Sequence, residues 1–482
     1  MINLYFIILS LISYILYNLF TKYTIKNILN LKKYALQLSI SIFLYSIFIW
    51  IFYDPYQLNN QFIIYLNFFL NTFYFSIDSI SLLFIILTTF IIPFCILFGW
   101  HNIYSYYKEY LICLFAIEII LLFVFSIMDI FLFYIFFESI LIPMFILIGI
   151  WGSRKRKIHA AYLLFFYTLI GSFFMLISII LIYSYTSTTN LFVLYNTQFP
   201  FHRESLIWIF LFLSFSIKIP MFPFHIWLPE AHVEAPTEGS VVLAGLLLKL
   251  GSYGFIRILI PFSLSKTFYF LPFIFLISSL GIIYTSLTTL RQVDLKRIIA
   301  YSSIAHMNIA ILGLFSMNIN SINGSILLMI GHGLISSSLF FIIGIIYDRF
   351  KTRIIQYYSG LIYNAPILII LFFFIIVSNF SFPGSINFVS EFLIFLGVLE
   401  NYNLYLFIII SIGVILCTLY SILLYNKISF GLITKYNVFM SDVTRLEFFL
   451  LIPFIIFIYG LGIYPNQLIQ LTESTIHYNL IK

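Results

Sequence analysis

Six ionisable residues lie inside long apolar stretches of this sequence. They are two acids, two lysines and two histidines, namely Glu138, Lys218, Lys249, His306, His332 and Glu391. A lysine at the centre of a membrane helix costs about 2.5 to 3.5 kcal/mol on insertion scales, so it requires a partner or a water-filled cavity. Alternating acids and bases can pass a proton along, with water in the gaps. These residue types therefore predict proton transfer along a buried line.

The two lysines are the predicted proton carriers. Burial favours the neutral form of a lysine, whereas a nearby carboxylate favours the charged form. Moving the carboxylate therefore switches the lysine proton on and off. We expect Glu138 to face Lys218 in the bilayer interior, because each would otherwise bury an uncompensated charge.

Other roles are open for these residues. Lys218 and Lys249 could snorkel to a lipid headgroup, although both are several residues from the nearest helix end. Glu138 and Lys218 could form a purely structural ion pair, but desolvation makes such pairs weak stabilisers. His306 and His332 could each make a satisfied polar contact between helices.

Glu118 and Asp129 are weaker candidates for proton transfer, at the predicted junction of the fourth and fifth helices. Asp129 could instead cap the fifth helix. Glu118 could hydrogen-bond to a neighbouring helix.

Membrane helices must position these residues. The 482 residues are 62% hydrophobic and 9% charged, which leaves too little polar surface for a soluble globule. Lipid offers no hydrogen-bond partners to the backbone, and the apolar runs are too long for barrel strands. Residues 3–20 have no charged segment ahead of them and no cleavage site, which indicates a retained first helix. The sequence predicts an all-α integral membrane protein.

About fourteen stretches are long enough to span the hydrocarbon of a bilayer. They lie near residues 3–20, 34–54, 78–98, 110–127, 129–150, 161–183, 206–226, 239–260, 268–290, 296–317, 322–346, 366–399, 403–425 and 447–464. Pro220 with Pro223, and Pro383 with Gly384, break the seventh and twelfth helices. Because these breaks are five helices apart, we expect two inverted five-helix repeats, each with one half-channel.

The expected organisation has four parts. Residues 1–109 carry helices 1 to 3, residues 110–260 the first repeat (helices 4 to 8), and residues 261–426 the second repeat (helices 9 to 13). Residues 427–482 would hold an amphipathic connector and the last helix. Lys and Arg concentrate in the loops after odd-numbered helices, as in the run from Arg154 to Lys157. The positive-inside rule places those loops inside and both termini opposite, and the net charge of +7 needs no nucleic-acid partner.

No cofactor or metal is predicted for this chain. Cys95, Cys113 and Cys417 lie in apolar runs without a C-x-x-C spacing, so neither disulfides nor an iron–sulfur cluster is expected. The eight His lack metal-ligand spacing, and no glycine-rich nucleotide loop is present. Any electron transfer must therefore take place in other chains.

Several motifs resemble subunit 4 of NADH:ubiquinone oxidoreductase, respiratory complex I, of the mitochondrial type. They are FFESILIPMFILIGIWG, WLPEAHVEAPTEGSVVLAGLLLKLGSYGFIR, RQVDLKRIIAYSSIAHMNIAILGLFS, and INGSILLMIGHGLISSSLFF with YDRFKTR. The resemblance implies an antiporter-like subunit of the membrane arm, which translocates protons while other subunits oxidise NADH and reduce ubiquinone. The family's central proton-transfer residues would correspond to Glu138, Lys218, Lys249 and Glu391, and its linking histidines to His306 and His332.

The resemblance also implies partners and a location. Flavin and iron–sulfur clusters are expected in partner subunits, and the antiporter-like subunits 2 and 5 and membrane lipids are expected as neighbours. The location would be the mitochondrial inner membrane, with the odd-numbered loops in the matrix and both termini toward the intermembrane space. Subunits 2 and 5 typically carry lysine where this chain has Glu391 and lack the EAHVEAPTEGS sequence, which favours subunit 4.

Two residues depart from the family pattern. Asp129 stands where mitochondrial relatives commonly have glutamate. Glu238 stands where a small residue is usual, and it adds negative charge to a loop that already holds Glu230 and Glu234.

Two other classes of function remain open from the sequence. A cation/proton antiporter or a membrane-bound hydrogenase subunit of the same fold would use the same acids and lysines to exchange Na⁺ for H⁺. A structural membrane scaffold would leave the central charges unexplained. Co-purifying neighbours separate the first class from complex I, because only complex I brings flavin and iron–sulfur chains.

Overall fold

The computed structural model describes residues 4–20, 25–57, 60–68, 71–103, 105–401, 404–432 and 441–481. Within these residues the chain is a bundle of long helices with one β-hairpin. Eleven of the described helices are long and apolar enough to cross a membrane. The predicted helical membrane class is therefore confirmed, and the hairpin is an addition to it.

The N-terminal half contains ten helices and the hairpin within the described residues. Their bounds are α1 Leu4–Phe20, α2 Ile25–Phe52, β1 Gln61–Phe68, β2 Asn71–Ile77, α3 Ser79–Asn102, α4 Tyr107–Ser126, α5 Ile130–Ser139, α6 Leu141–Trp151, α7 Lys157–Thr186, α8 Leu191–Leu194, α9 Phe201–Lys218 and α10 Trp227–Glu234. The two strands pair antiparallel, with an irregular register between Gln61 and Ile64. Because this irregularity interrupts the alternation of side chains, the sequence pattern does not reveal the strands.

The C-terminal half begins with one continuous helix, Thr237–Phe262, that contains two π-helical turns. Its parts are α11 Thr237–Val242, a π turn at Leu243–Leu247, α12 Leu248–Gly254, a second π turn at Phe255–Leu259, and α13 Ile260–Phe262. The remaining elements are α14 Leu264–Arg291, α15 Leu295–Phe315, α16 Ile319–Phe350, a 3₁₀ turn at Ile355–Tyr357, α17 Leu361–Asn364, α18 Pro366–Asn379, α19 Ile386–Asn401, α20 Leu404–Ser429, α21 Arg445–Ile463 and α22 Asn466–Ile481.

The helix Thr237–Phe262 and α16 form the centre of the bundle. The apolar windows of both are completely buried, whereas those of α20 and α21 are mostly exposed. The exposed side chains of the outer helices are apolar, as lipid contact requires. Polar residues on the two central helices are therefore shielded from lipid by the protein itself.

Both predicted helix breaks are present. Helix α9 ends at Lys218 and α10 begins at Trp227, so the predicted span 206–226 is wrong in its last eight residues, and part of the predicted loop is helical. Helix α18 ends at Asn379 and α19 begins at Ile386. Gly384 has a φ of +97°, which glycine adopts without steric cost. The inverted symmetry of the two five-helix groups stays a prediction.

Helix α22 was not predicted, because its sequence is too polar for a hydropathy signal. The hydroxyl of Thr472 donates to Oδ1 of Asn323 at 2.8 Å, and the hydroxyls of Ser79 and Thr475 are 2.7 Å apart. These contacts hold α22 against the beginnings of α3 and α16. The amphipathic connector was predicted at residues 427–446. Residues 433–440 of this stretch lie outside the described residues, whereas 427–429 belong to the end of α20 and 445–446 to the start of α21.

Candidate functional site

Lys249 lies near the middle of the central helix, with no exposed surface. Its Nζ donates to the carbonyl of Ala244, which belongs to the π turn Leu243–Leu247. A π turn shifts the helical hydrogen bonds and leaves a carbonyl for another donor, and such turns are frequent at functional sites. The first partner of this buried amine is therefore its own helix.

A line of close contacts runs from Lys249 to Glu391. Lys249 Nζ lies 2.9 Å from Nδ1 of His332 on α16. The ring centroids of His332 and His306 are 5.8 Å apart, and Nδ1 of His306 on α15 lies 3.4 Å from Oε1 of Glu391 on α19. All four side chains are buried. The structure thus brings together four of the six predicted residues.

This line has the chemistry that proton transfer needs. A neutral imidazole carries one N–H donor and one acceptor nitrogen, so a histidine can take a proton on one side and release one on the other. The longest step lies between the two imidazole rings, whose centroids are 5.8 Å apart. The line ends in a carboxylate beside the break between α18 and α19.

The charges of Lys218 and Glu138 act on each other, but their side chains form no ion pair within 4.0 Å. Lys218 Nζ donates to the carbonyl of Phe137 at 3.2 Å and lies 4.1 Å from the centroid of its ring. The ion pairs found among the described residues do not include Glu138 with Lys218, although the charge of Lys218 acts on Glu138. The purely structural ion pair is therefore not supported. The two side chains act on each other through their charges without an ion-pair contact.

A glycine lets the helix of Lys249 approach the end of α9. A Cβ atom on Gly251 would lie 2.5 Å from Cγ1 of Ile219 and 3.0 Å from the carbonyl oxygen of Phe215. Real Cβ atoms do not tolerate the first distance. The missing side chain at Gly251 therefore brings the backbone that follows Lys218 against the helix that carries Lys249.

Asp129 acts as a helix cap in the structure. Its Oδ1 accepts hydrogen bonds from the backbone N–H groups of Phe131 at 2.9 Å and Leu132 at 3.0 Å, and Thr189 donates to its other oxygen. The alternative of an N-cap is thus confirmed. Asp129 lies in contact with none of the six residues of the predicted line.

Glu118 is completely buried on α4. Neither of its carboxylate oxygens has a hydrogen-bond partner among the described residues. The alternative role of Glu118, a hydrogen bond to a neighbouring helix, is therefore not found in the part of the chain that the structure describes. Glu118 also lies apart from the line between Lys249 and Glu391.

The described residues contain no group of three or more His, Cys, Asp or Glu that could hold a metal ion. The three cysteines are free and buried. Cys417 lies 3.5 Å from Nε2 of His306 and 2.9 Å from the hydroxyl of Tyr420. Cys417 therefore contacts the ring nitrogen of His306 that does not face Glu391.

Comparisons with known proteins place the chain in a family. A family model described as NADH:quinone oxidoreductase/Mrp antiporter, transmembrane, matches residues 127–417. NADH-ubiquinone oxidoreductase chain 4 of Acanthamoeba castellanii is 49% identical over 93% of this chain and 92% of its own length. The corresponding chain 4 of Marchantia polymorpha is 49% identical over 92% of this chain and 90% of its own length. This chain belongs to the NADH-ubiquinone oxidoreductase chain 4 family.

Solved structures show the same fold as this chain 4 family member. A chain of respiratory complex I from Thermus thermophilus with bound NADH superposes with a TM-score of 0.87 at 22% identity, over 99% of this chain and all of that chain. A chain of the Mrp complex from a Dietzia species superposes with a TM-score of 0.86 at 16% identity, over 98% and 96% of the two chains. At these identities the likeness concerns the fold alone.

One buried histidine of this chain 4 family member, His232, was not among the residues predicted from the sequence. His232 on α10 stacks on Phe340 with ring centroids 4.9 Å apart, and neither ring nitrogen has a hydrogen-bond partner among the described residues. The charges of Lys249 and Lys296 both act on His232. The polar density of WLPEAHVEAP, directly after the break at Lys218, was the signal that could have indicated it.

Proposed function

We propose that this chain is a proton-translocating membrane-arm subunit of respiratory complex I in the mitochondrial inner membrane. The observation that carries the proposal is the buried line of ionisable side chains from Lys249 through His332 and His306 to Glu391. Membership of the chain 4 family and the antiporter-like fold support it. A protein that served only as a scaffold would have no use for four ionisable groups in its core, because burying them is costly.

Each residue of the line has a proposed role. Glu138 sets the charge state of Lys218 through its own charge, and Lys218 passes a proton toward Lys249 through water. His332 and His306 relay the proton, and Glu391 releases it beside the break between α18 and α19. A positive charge on one residue of this line disfavours a positive charge on its neighbour, whereas a nearby carboxylate favours it. When a carboxylate moves, the proton therefore passes to the next residue of the line.

The energy for this transfer comes from other subunits in the proposal. NADH oxidation and ubiquinone reduction take place there, on flavin and iron–sulfur clusters, and no cofactor is assigned to this chain. Subunits 2 and 5 and membrane lipids are the proposed neighbours. The basic odd-numbered loops lie in the matrix, with both termini toward the intermembrane space.

The four-part organisation is carried over into the proposal. Residues 110–260 and 261–426 would be the two inverted repeats, with residues 1–109 before them and 427–482 after them. A half-channel in each repeat would meet at the line of histidines, because His306 and His332 both lie in the second repeat and contact Lys249 or Glu391. The broken helices α9–α10 and α18–α19 would then stand at corresponding places in the two repeats.

A cation/proton antiporter of the same fold is the second candidate. The likeness to the Mrp complex chain supports only the shared fold, whereas the 49% identity with chain 4 proteins favours complex I. Purification of the chain from its native membrane separates the two. Flavin and iron–sulfur subunits in the purified material support complex I, and their absence supports the antiporter.

The decisive experiment replaces Lys249 by Met in the intact complex in sealed vesicles. Proton uptake per NADH oxidised should fall, because the variant lacks the amine of Lys249. The part of the uptake that this chain carries should decrease about tenfold. Lys266→Met is the matched control, since Lys266 is equally buried but lies over the ring of Phe201, away from the line. Parental pumping by an assembled Lys249→Met complex would overturn the proposal.

A further inference from the structure

A polar cavity of about 350 Å³ lies between α3, α6, the start of α11 and the end of α16. It opens to solvent beside Lys351, whose side chain is 70% exposed, on the side of the basic odd-numbered loops. A water molecule takes about 30 Å³ in the liquid, so the cavity has room for several. Its polar lining includes Ser153, Glu238, Lys296, Asp348 and Arg353.

Glu238 is the buried acid at the inner end of this cavity. Only 1% of its surface is exposed, and its Oε2 accepts a hydrogen bond from the hydroxyl of Thr237 at 3.1 Å. Its Oε1 has no hydrogen-bond partner among the described residues. A buried carboxylate is costly unless it is paired or protonated. Glu238 therefore offers a free oxygen to water in the cavity.

No basic side chain in the described residues lies within ion-pair distance of Glu238. The nearest candidate, Lys296, donates instead to the backbone carbonyl of Ala235 at 2.8 Å. Arg353 pairs with Glu234 at 3.9 Å, and burial lowers the pKa of this guanidinium while Glu234 raises it. Glu238 is therefore not held as a structural ion pair.

Titratable groups face Glu238 from four other helices. They are Cys95 on α3, Tyr107 and Tyr110 on α4, Lys296 on α15 and Asp348 on α16. Asp348 is itself bonded to Asn102 at 2.6 Å and faces Lys351 at 3.6 Å. Of the two acids that line the cavity, Asp348 has a partner for each carboxylate oxygen, whereas Oε1 of Glu238 has none among the described residues and can accept a proton.

A second buried group near these lysines is His232 on α10. The charge of Lys296 acts on His232, and so does the charge of Lys249 at the start of the central line. Glu238, in turn, acts on Lys296. His232 stacks on Phe340, and both of its ring nitrogens are without a hydrogen-bond partner in the described residues.

We propose that Glu238 takes up a proton from the water of this cavity, on the odd-loop side, and supplies it to the central line at Lys249. A hydronium ion gives its proton to Oε1 and becomes water, and the carboxylate becomes a carboxylic acid. Loss of the same proton to the next water restores the carboxylate, so charge and atoms balance. This inference rests on the proposed function and adds the group that supplies its protons.

The test uses Glu238→Gln in the intact complex in sealed vesicles, with the pH varied only on the odd-loop side. Pumping should match the parental complex at acidic pH and fall about threefold or more below it at alkaline pH, where few hydronium ions reach the cavity. Glu238→Asp should restore most of this loss. Glu230→Gln is the matched control, since it removes the same charge from a carboxylate that accepts from Arg297 at 2.7 Å outside the cavity.

The outcomes separate this inference from the proposed function. If Lys249→Met abolishes pumping while Glu238→Gln keeps the parental pH profile, only the uptake role of Glu238 is wrong. A loss that is equal at every pH, or failure of both Glu238→Gln and Glu238→Ala to assemble, would assign Glu238 a structural role and overturn the inference. If Lys249→Met pumps normally, the proposed function itself fails.

Discussion

The amine of Lys249 and Nδ1 of His332 lie 2.9 Å apart in the completely buried centre of the bundle. Two cations at this distance would repel each other strongly, because little water is present to screen them. The pair therefore holds at most one positive charge. In the proposed mechanism a proton that arrives at Lys249 displaces one from His332, and this contact couples the two halves of the line.

Glu391→Gln should lower proton pumping by about tenfold or more, because His306 loses the carboxylate 3.4 Å away that takes its proton. Glu391→Asp should retain part of the activity if water bridges the shorter side chain. Proton uptake in sealed vesicles during NADH oxidation measures both. Equal pumping by Glu391→Gln and the parental complex would remove Glu391 from the line.

Glu138→Gln should also reduce pumping strongly, since it removes the charge that acts on Lys218. Glu138→Asp should reduce pumping less than Glu138→Gln does. The variant keeps the negative charge, and Glu138 and Lys218 form no direct ion pair that the shorter side chain would break. The exposed Glu400→Gln is a suitable control. Should Glu138→Asp be as damaging as Glu138→Gln, the negative charge alone is not sufficient.

Asp129→Ala should destabilise the start of α5 by about 0.5 to 2 kcal/mol, because two backbone N–H groups lose their acceptor. Asp129→Asn should keep both stability and pumping, since asparagine caps as well as aspartate. Thermal inactivation of the complex and proton uptake are the two measurements. A pumping defect in a fully stable Asp129→Asn complex would show that the carboxylate itself transfers protons.

Gly251→Ala should destabilise the protein by about 1 to 3 kcal/mol, because its Cβ overlaps Ile219 and approaches the backbone of α9. Gly149→Ala is the matched control, since a Cβ there meets nothing within 4 Å. The amount of assembled complex and its thermal inactivation report the difference. If both variants behave alike, the close approach of α9 to the helix of Lys249 is not needed.

A protease-sensitive tag after the C-terminus should be cleaved only from the side opposite the basic loops. The charge bias of the loops places both termini there. Intact and opened mitochondrial inner-membrane vesicles provide the two conditions. Cleavage from the matrix side alone would show that the number of membrane crossings, or the orientation, is wrong.

The sequence was sufficient for the helical membrane class and for the two helix breaks. Long apolar runs in lipid favour helices, and Pro220 and Pro383 each lack the backbone N–H that a continuous helix needs. The ionisable residues of the line were also visible, because a charge in an apolar run stands out. These are local signals that each stretch of sequence carries by itself.

The sequence did not predict two elements. They are the hairpin, Gln61–Phe68 with Asn71–Ile77, and the helix α22. An irregular register hides the strands, and a polar sequence hides α22, which is held by contacts with α3 and α16 instead of by lipid. Hydropathy reports a segment's preference for lipid. It does not report which neighbour will satisfy a polar segment.

The sequence by itself determined which side chains could carry a proton, whereas only the tertiary structure decided which of them meet. It placed Lys249, His332, His306 and Glu391 in contact, separated Glu138 from Lys218, and used Asp129 as a cap. Spacing along one helix cannot predict such contacts, because they join residues on different helices whose packing depends on close approaches such as the one at Gly251. The π turn that offers the carbonyl of Ala244 to Lys249 has the same origin, since its backbone is set by the surrounding packing.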